Sequence, residues 1–170
     1  LVALVASAAD KRIVLIAGRP SHPPGKHEFR AGCLLFQQAL RGVPGVSVQV
    51  FSNGWPTKVE GDKAVDDNAQ LENAEAVLIY ADGGGGHPAI QANRLKFIDG
   101  LEAKGVGLGF AHYGVEVPKG EPGEAMHRWV GGYYEHQFSV NPMWKPSFGP
   151  IPDHEVTRGV KTFATHDEWY

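Results

Sequence analysis

The sequence has a single cysteine, Cys33, among its 170 residues. One cysteine cannot form an internal disulfide, and it cannot build a zinc site that uses several thiolates. The chain also lacks any run of Lys or Arg, and its formal net charge is −3. Because nucleic acids are bound through basic patches, we expect no nucleic-acid partner. No apolar stretch approaches the roughly 20 residues that a membrane-spanning helix needs, so we expect no membrane span.

The composition, with 42% hydrophobic and 21% charged residues, is that of a globular domain with a substantial core. Residues 1–9 are small and apolar and end in Ala6-Ser7-Ala8-Ala9, which is typical of the tail of a secretory signal peptide. The alternative is a frayed or irregular leader. We therefore expect a signal-peptide remnant at 1–9, one α/β domain at 10–170 and a periplasmic or secreted protein. From the abrupt close at Asp167-Glu168-Trp169-Tyr170 we expect this domain to be truncated at its C-terminus.

Short apolar runs alternate with segments of helical spacing, and this pattern predicts a parallel sheet covered by helices on both faces. The predicted strands are 12–17, 46–51, 75–80 and 105–111. The predicted helices are 27–40 and 88–103, with a short helix or loop at 62–73 and a helical turn at 124–130. From 133 to 152, aromatic residues and prolines predict a long structured loop over the ligand edge of the sheet.

Four histidines follow the predicted strands. His22 and His27 come after the first strand, His87 after the third and His112 after the fourth. The carboxyl ends of parallel strands face one crevice, where ligands bind. Histidines at that edge can serve as acids, bases or metal ligands in one pocket.

The turn after the fourth strand predicts a catalytic residue. His112 stands at a sharp strand-end turn, which would hold its side chain rigidly in the crevice. Its role would be that of a general base, a residue that orients a nucleophile, or a ligand, and Glu116 nearby could hold the imidazole in one tautomer. The alternatives are a structural histidine bonded to a backbone carbonyl and a solvated glutamate.

A run of glycines precedes His87. Gly84, Gly85 and Gly86 have backbone donors that a ligand can approach closely, so they are predicted to bind an oxyanion. The run lacks the Lys-Ser/Thr of a phosphate-binding P-loop, and the alternative is a flexible turn. His87 opens the next helix, whose positive end favours a neutral imidazole acting as a ligand or a hydrogen-bond partner.

A divalent metal ion is an alternative use of these side chains. The candidate ligands are His22, His27, His87 and His112, although no His-Glu-x-x-His motif or Asp-rich calcium loop supports them. Trp129 is a candidate for stacking on a sugar ring, and His136 for closing the pocket. For any one aromatic residue the alternative is a place in the core. Cys33, on the apolar face of the first predicted helix, is a packing residue.

Several motifs together resemble a known family. Phe110-Ala111-His112-Tyr113-Gly114-Val115-Glu116 lies where class I glutamine amidotransferases carry their nucleophilic cysteine, and His112 takes its place. The chain is similar to the trehalose-utilisation (ThuA-like) family, a branch of that fold without the cysteine. The further motifs that carry the resemblance are Ser21-His22…His27-Glu28-Phe29, Gly84-Gly85-Gly86-His87, Trp129-Val130-Gly131-Gly132…His136 and Asp153-His154 through Asp167-Glu168-Trp169-Tyr170. Relatives carry His-Pro-Ile-Thr-x-Gly where this chain reads His154-Glu155-Val156-Thr157-Arg158-Gly159, a mild departure.

The resemblance implies a flavodoxin-like three-layer α/β sandwich with strand order 2-1-3-4. It also implies carbohydrate breakdown, especially of disaccharides and their 3-keto derivatives, and export from the cell. Glutamine amidotransferase chemistry is excluded because the nucleophilic cysteine is missing.

Three functions follow. The first is a carbohydrate enzyme that works by proton transfer. In it His112 is the base, Glu116 orients His112, His87 or His27 is the acid or electrophile, and the backbone donors of Gly84–Gly86 steady an enolate. The second uses the same histidines to hold a metal that polarises the sugar. The third is a non-catalytic sugar-binding domain of a secreted protein, dependent on Trp129 or Trp144.

Overall fold

The computed structural model describes residues 11–169. The predicted signal-peptide remnant at 1–9 lies outside the described residues. The chain divides into two compact units, Leu1–Tyr134 and Glu135–Tyr170. Within the described part, no helix combines the length and the apolar character that crossing a bilayer requires.

The bounds of the elements are as follows. The strands are β1 Lys11–Ala17, β2 Val46–Phe51, β3 Thr57–Glu60, β4 Lys63–Asp66, β5 Ala76–Tyr80, β6 Gly107–Phe110, β7 Met143–Trp144, β8 Ser147–Phe148, β9 Phe163–Ala164 and β10 Asp167–Glu168. The α-helices are α1 Phe29–Leu40, α2 Ala69–Glu72, α3 Arg94–Glu102 and α4 Glu121–Val130.

The first unit is built on a four-stranded parallel sheet. Its strand order is β2-β1-β5-β6, which confirms the predicted order 2-1-3-4 for the four apolar strands. In β1, Ile13 is paired with Val48 on one side and with Ala76 on the other. Since all four strands run in the same direction, their carboxyl ends meet at one edge.

Alternate residues of β1 supply two separate cores. Val14 and Ile16 are fully buried on one face, together with Ile98 of α3. Leu15 packs on the other face with Phe29 and Cys33 of α1. This is the period of two expected of a strand buried on both sides. The result is a sheet between two helical layers, and it confirms that Cys33 is a packing residue.

Two sequence predictions about this unit were wrong in part. Residues 57–66 form the hairpin β3–β4, with Gly61 at φ 62° in its turn, and only Ala69–Glu72 of the predicted 62–73 segment is helical. The single helix predicted at 88–103 is divided into a 3₁₀ turn at Pro88–Ile90 and the helix α3. Ala92 lies between them at φ 51°, which interrupts a right-handed helix.

The second unit contains two small antiparallel sheets. β7 pairs with β10, and β8 pairs with β9. Phe148 packs against Phe163 and Trp169, with ring centroids 4.8 Å and 4.7 Å apart. Trp144 donates from Nε1 to the carbonyl of Trp169 at 3.0 Å. The predicted loop at 133–152 thus includes short strands, and its place over the crevice stays a prediction.

Candidate functional site

Three side chains meet at the carboxyl edge of the sheet. His22 and His27 belong to the loop between β1 and α1, and Asp82 follows β5 by two residues. One ligand atom from each lies within 4.8 Å of the other two. We call these residues the histidine–aspartate cluster. They meet because β1 and β5 are neighbours in the sheet.

The cluster has a defined internal geometry. The rings of His22 and His27 are stacked, with centroids 4.0 Å apart and planes 23° apart. Nδ1 of His22 lies 4.0 Å from Oδ1 of Asp82 and 2.8 Å from the hydroxyl of Ser21. Oδ1 of Asp82 is inaccessible to solvent and accepts no hydrogen bond from the described residues. A buried carboxylate oxygen without a donor is costly, so this oxygen is suited to a cation.

Ser21, His22 and Asp82 do not form a nucleophilic triad. A Ser-His-Asp triad needs the serine on one ring nitrogen and the aspartate on the other. Here Ser21 and Asp82 both face Nδ1 of His22. The contact between Ser21 and Nδ1 instead orients the His22 ring beside Asp82.

His112 adjoins the cluster, as the sequence predicted for the strand-end residues. Its ring centroid lies 4.8 Å from that of His27. The Tyr113 ring lies 4.9 Å from His27 and 5.8 Å from His22. Burial raises the pKa of the Tyr113 phenol, and the carboxylates of Glu116 and Asp82 raise it further. The neutral phenol is therefore favoured beside the cluster.

Two residues of this site have a strained backbone. His27 and His112 both have φ 50°, in the left-handed region that side chains disfavour by about 1–2 kcal/mol. Among the described residues that are not glycine, only Ala92 shares a positive φ. Such strain concentrates at functional sites, where the surrounding structure holds a side chain in place. The strain thus sits on two neighbouring histidines of the site.

His87 is separated from the other histidines by its contacts. It is fully buried; its Nε2 donates to the Gly114 carbonyl at 2.9 Å, and its Nδ1 accepts from the Ala89 amide at 3.1 Å. Burial lowers its pKa from 6.5 to about 4, against the opposing effects of the Gly114 carbonyl and the Asp82 charge. The neutral ring therefore links the loop after β5 to the turn after β6. In this arrangement neither nitrogen faces a metal or a substrate.

The glycine run is shaped by close packing. A Cβ on Gly83 would lie 2.8 Å from atoms of Tyr113 and Glu116, so the loop can approach the His112 turn only with glycine there. The amide of Gly84 donates to the Glu116 carbonyl at 3.0 Å, which uses one of the predicted oxyanion donors within the fold. Gly85 and Gly86 are exposed. The Glu116 carboxylate lies near Gly84: its Oε1 would be 3.8 Å from a Cβ added to that glycine.

The remaining predicted residues lie elsewhere. Trp129 of α4 donates from Nε1 to Asp99 at 2.8 Å, and its ring stacks on Phe110 with centroids 5.9 Å apart. It packs against the core on one face of the sheet, so its contacts are those of a structural aromatic. His136 is exposed and belongs to the second unit.

A cleft of about 350 Å³ includes Asp82 in its wall. The residues that line it are Gly18, Arg19, Pro20, Ser21, Asn53, Gly54, Trp55, Thr57, Ala81, Asp82, Gly86, Pro88, Gln91 and Arg94. It lies between the ends of β1 and β5, where the chain order of the sheet reverses, which is the usual ligand position in such sheets. Its volume is in the range of small-molecule sites.

Sequence reasoning did not select Asp82 as a ligand. The available signal was its position, since Asp82 follows β5 as closely as His112 follows β6. Asn53 and Gln91 were also missed, because neither lies in a motif and only the fold brings them into the cleft.

Comparison with protein-family models, with curated proteins and with solved structures gives no match to this chain. The resemblance to the ThuA-like family therefore depends on the short motifs alone, and what it implies remains a prediction.

Proposed function

We propose that this protein is an enzyme of carbohydrate breakdown that acts on a sugar or 3-keto-sugar with the help of a divalent metal ion. His22, His27 and Asp82 would hold the ion, and His112 would act as the base. The observation that supports this is the convergence of the three donor side chains within 4.8 Å beside His112. The substrate class rests on the motifs that resemble the ThuA-like family. With the parallel sheet, these motifs also favour a flavodoxin-like fold of the class I amidotransferase type.

The donor set suits a catalytic metal. Two imidazoles and one carboxylate are a ligand set of catalytic zinc and of non-haem iron, and they leave positions open for substrate. Around a tetrahedral zinc ion such donors lie about 3.4 Å apart. The separations in the cluster, at most 4.8 Å, would shorten by about 1.4 Å or less on binding. His22 is exposed and His27 and Asp82 are half-buried, so small rotations of these side chains can shorten the separations by this amount.

The reaction would be proton transfer next to a carbonyl. A bound ion would supply Lewis acidity toward the carbonyl oxygen of the sugar. The imidazole of His112 would take the proton from the adjacent carbon, and the C–H electron pair would form the C=C bond of an enolate. The strained backbone at His112 would keep the ring in position, which favours catalysis because orientation is settled before substrate binds. Tyr113, with its raised pKa, would remain a neutral hydrogen-bond donor.

Elemental analysis after reloading with zinc or manganese tests the metal site. We expect about one ion per chain in the parent, and at least tenfold weaker binding in Asp82→Asn and His22→Ala, since outright loss of a ligand exceeds the cost of losing an outer contact. His127→Ala is the matched control, because His127 is an exposed histidine on α4 outside the cluster. Equal metal content in the parent and both cluster variants would exclude this site.

Turnover of a 3-keto-disaccharide tests the chemistry. We expect His112→Ala to lower kcat by about 10²–10⁴-fold, the usual contribution of a general base, while metal content stays unchanged. Turnover that survives chelation but is lost in His112→Ala would support the metal-free acid–base alternative. Normal turnover by His112→Ala would contradict both versions.

A further inference from the structure

The charges around the cleft differ in how far they are neutralised. The charged residues that line it are Arg19, Asp82 and Arg94. Arg94 donates from Nε and Nη2 to both carboxylate oxygens of Asp66, at 2.7 Å and 2.6 Å, and from Nη1 to the Pro88 carbonyl. Its guanidinium also lies over the Trp55 ring at 5.0 Å. The guanidinium of Arg94 is therefore used by structural contacts.

Asp82 belongs to both the cleft wall and the histidine–aspartate cluster. Its Oδ1 is 4.0 Å from Nδ1 of His22, and a metal ion in the cluster would take its charge. Once a metal ion binds the cluster, the cleft wall therefore has no free carboxylate that could pair with a cationic residue.

Arg19 is the charged residue of the cleft that is not neutralised by a partner among the described residues. Its side chain is exposed, and its Nε donates to the Asn53 carbonyl at 3.4 Å. Among residues 11–169, no carboxylate pairs with it and its two terminal amino groups have no protein partner. With Nε held by the backbone, these two amino groups present the planar fork that binds a carboxylate or phosphate with two hydrogen bonds.

We propose that the cleft selects an anionic sugar, whose carboxylate or phosphate is bound by Arg19 while its hydroxyl groups extend toward the histidine–aspartate cluster. The hydroxyls of Ser21 and Thr57 and the amides of Asn53 and Gln91 line the same cleft. Groups of this kind hydrogen-bond to a polyhydroxylated ligand. The inference rests on the proposed function, because it names the substrate class of that site.

Calorimetric titration with D-glucuronate, D-glucose and D-glucose 6-phosphate tests the inference on the metal-loaded full chain. The first two share one ring and differ in the carboxylate. We expect the parent to bind glucuronate about tenfold more tightly than glucose at low ionic strength, the usual effect of a charge-assisted pair of hydrogen bonds. The preference should shrink as salt is added.

Two variants decide the role of Arg19. Arg19→Gln should remove the preference while leaving the free energy of unfolding unchanged, and the control Arg30→Gln, an exposed arginine on α1, should keep it. An Arg19-dependent preference for glucose 6-phosphate over glucuronate supports the inference and identifies phosphate as the anion. Equal binding of the three compounds, a preference that survives in Arg19→Gln, or binding of none overturns it.

The two proposals can fail separately. Stoichiometric metal and turnover without an anion preference would overturn only the role of Arg19. An Arg19-dependent preference in a chain that holds no metal would overturn only the metal-dependent function.

Discussion

The buried His87 makes a quantitative prediction about acid stability. The folded chain holds this imidazole neutral with a pKa of about 4, against an ordinary value of 6.5. Between these two pH values the unfolded chain binds a proton that the folded chain does not. The free energy of unfolding must therefore fall as the pH is lowered through this window.

The magnitude follows from the two pKa values of His87. Each pH unit is worth about 1.36 kcal/mol, so the full difference corresponds to about 3 kcal/mol. About 2 kcal/mol of this is lost between pH 7 and pH 5. That is a large share of the roughly 5–15 kcal/mol that stabilises an ordinary domain.

The test compares the parent with His87→Gln by urea denaturation at several pH values from 7 to 4.5. Glutamine can donate to the Gly114 carbonyl but cannot be protonated. We expect the variant to be less stable at pH 7, because the Ala89 amide loses its acceptor, and its unfolding free energy to depend less steeply on pH. Since other groups titrate in both proteins, the difference between the two curves isolates His87.

Parallel pH curves for parent and variant would refute the reasoning. If His87→Gln does not fold, an NMR titration of the His87 ring in the parent gives the same information. An imidazole that protonates near pH 6.5 in the folded chain would show that burial does not depress its pKa.

Three further predictions concern packing and charge. Gly83→Ala should lower the free energy of unfolding by about 1–3 kcal/mol, because its Cβ would clash with neighbouring atoms. Gly85→Ala should leave it unchanged, because a Cβ there meets no atom within 4 Å. Equal effects of the two variants in urea denaturation would contradict the close approach at Gly83. Asp66→Asn should cost about 1–3 kcal/mol, because Arg94, 14% exposed, loses its charge partner; an unchanged unfolding midpoint would oppose this. Cys33, whose pKa burial raises to about 11, should react with a thiol reagent at pH 8 only after denaturant is added, and rapid reaction of the folded chain would contradict its burial.

Much of the first unit could be predicted because its strands carry a strong local signal. The apolar runs of β1 and β5 lie at the centre of the sheet and those of β2 and β6 at its edges, and the helical segments between the strands impose parallel pairing. The hairpin β3–β4 was missed because its residues are mostly polar and exposed. A hairpin of this kind depends on its turn and on cross-strand pairing, which hydrophobic spacing does not reveal.

For the four histidines, the sequence predicts the position in the fold but not the contacts of each side chain. The spacing placed all four at the carboxyl edge, because a residue that follows a strand must emerge there. At that edge the His27 ring contacts the rings of both His22 and His112. His87 follows the same rule but is enclosed between the Gly114 carbonyl and the Ala89 amide.

The sequence by itself determined the four apolar strands, their parallel direction and the edge at which polar residues gather. These depend on hydrophobic spacing and on chain connectivity, which are local properties. Only the tertiary structure decided that Asp82 joins His22 and His27, that Arg94 is neutralised and that Arg19 is not. Whether a side chain is a ligand or a structural contact depends on which donors and acceptors lie within about 3 Å of it, and those neighbours come from distant parts of the chain.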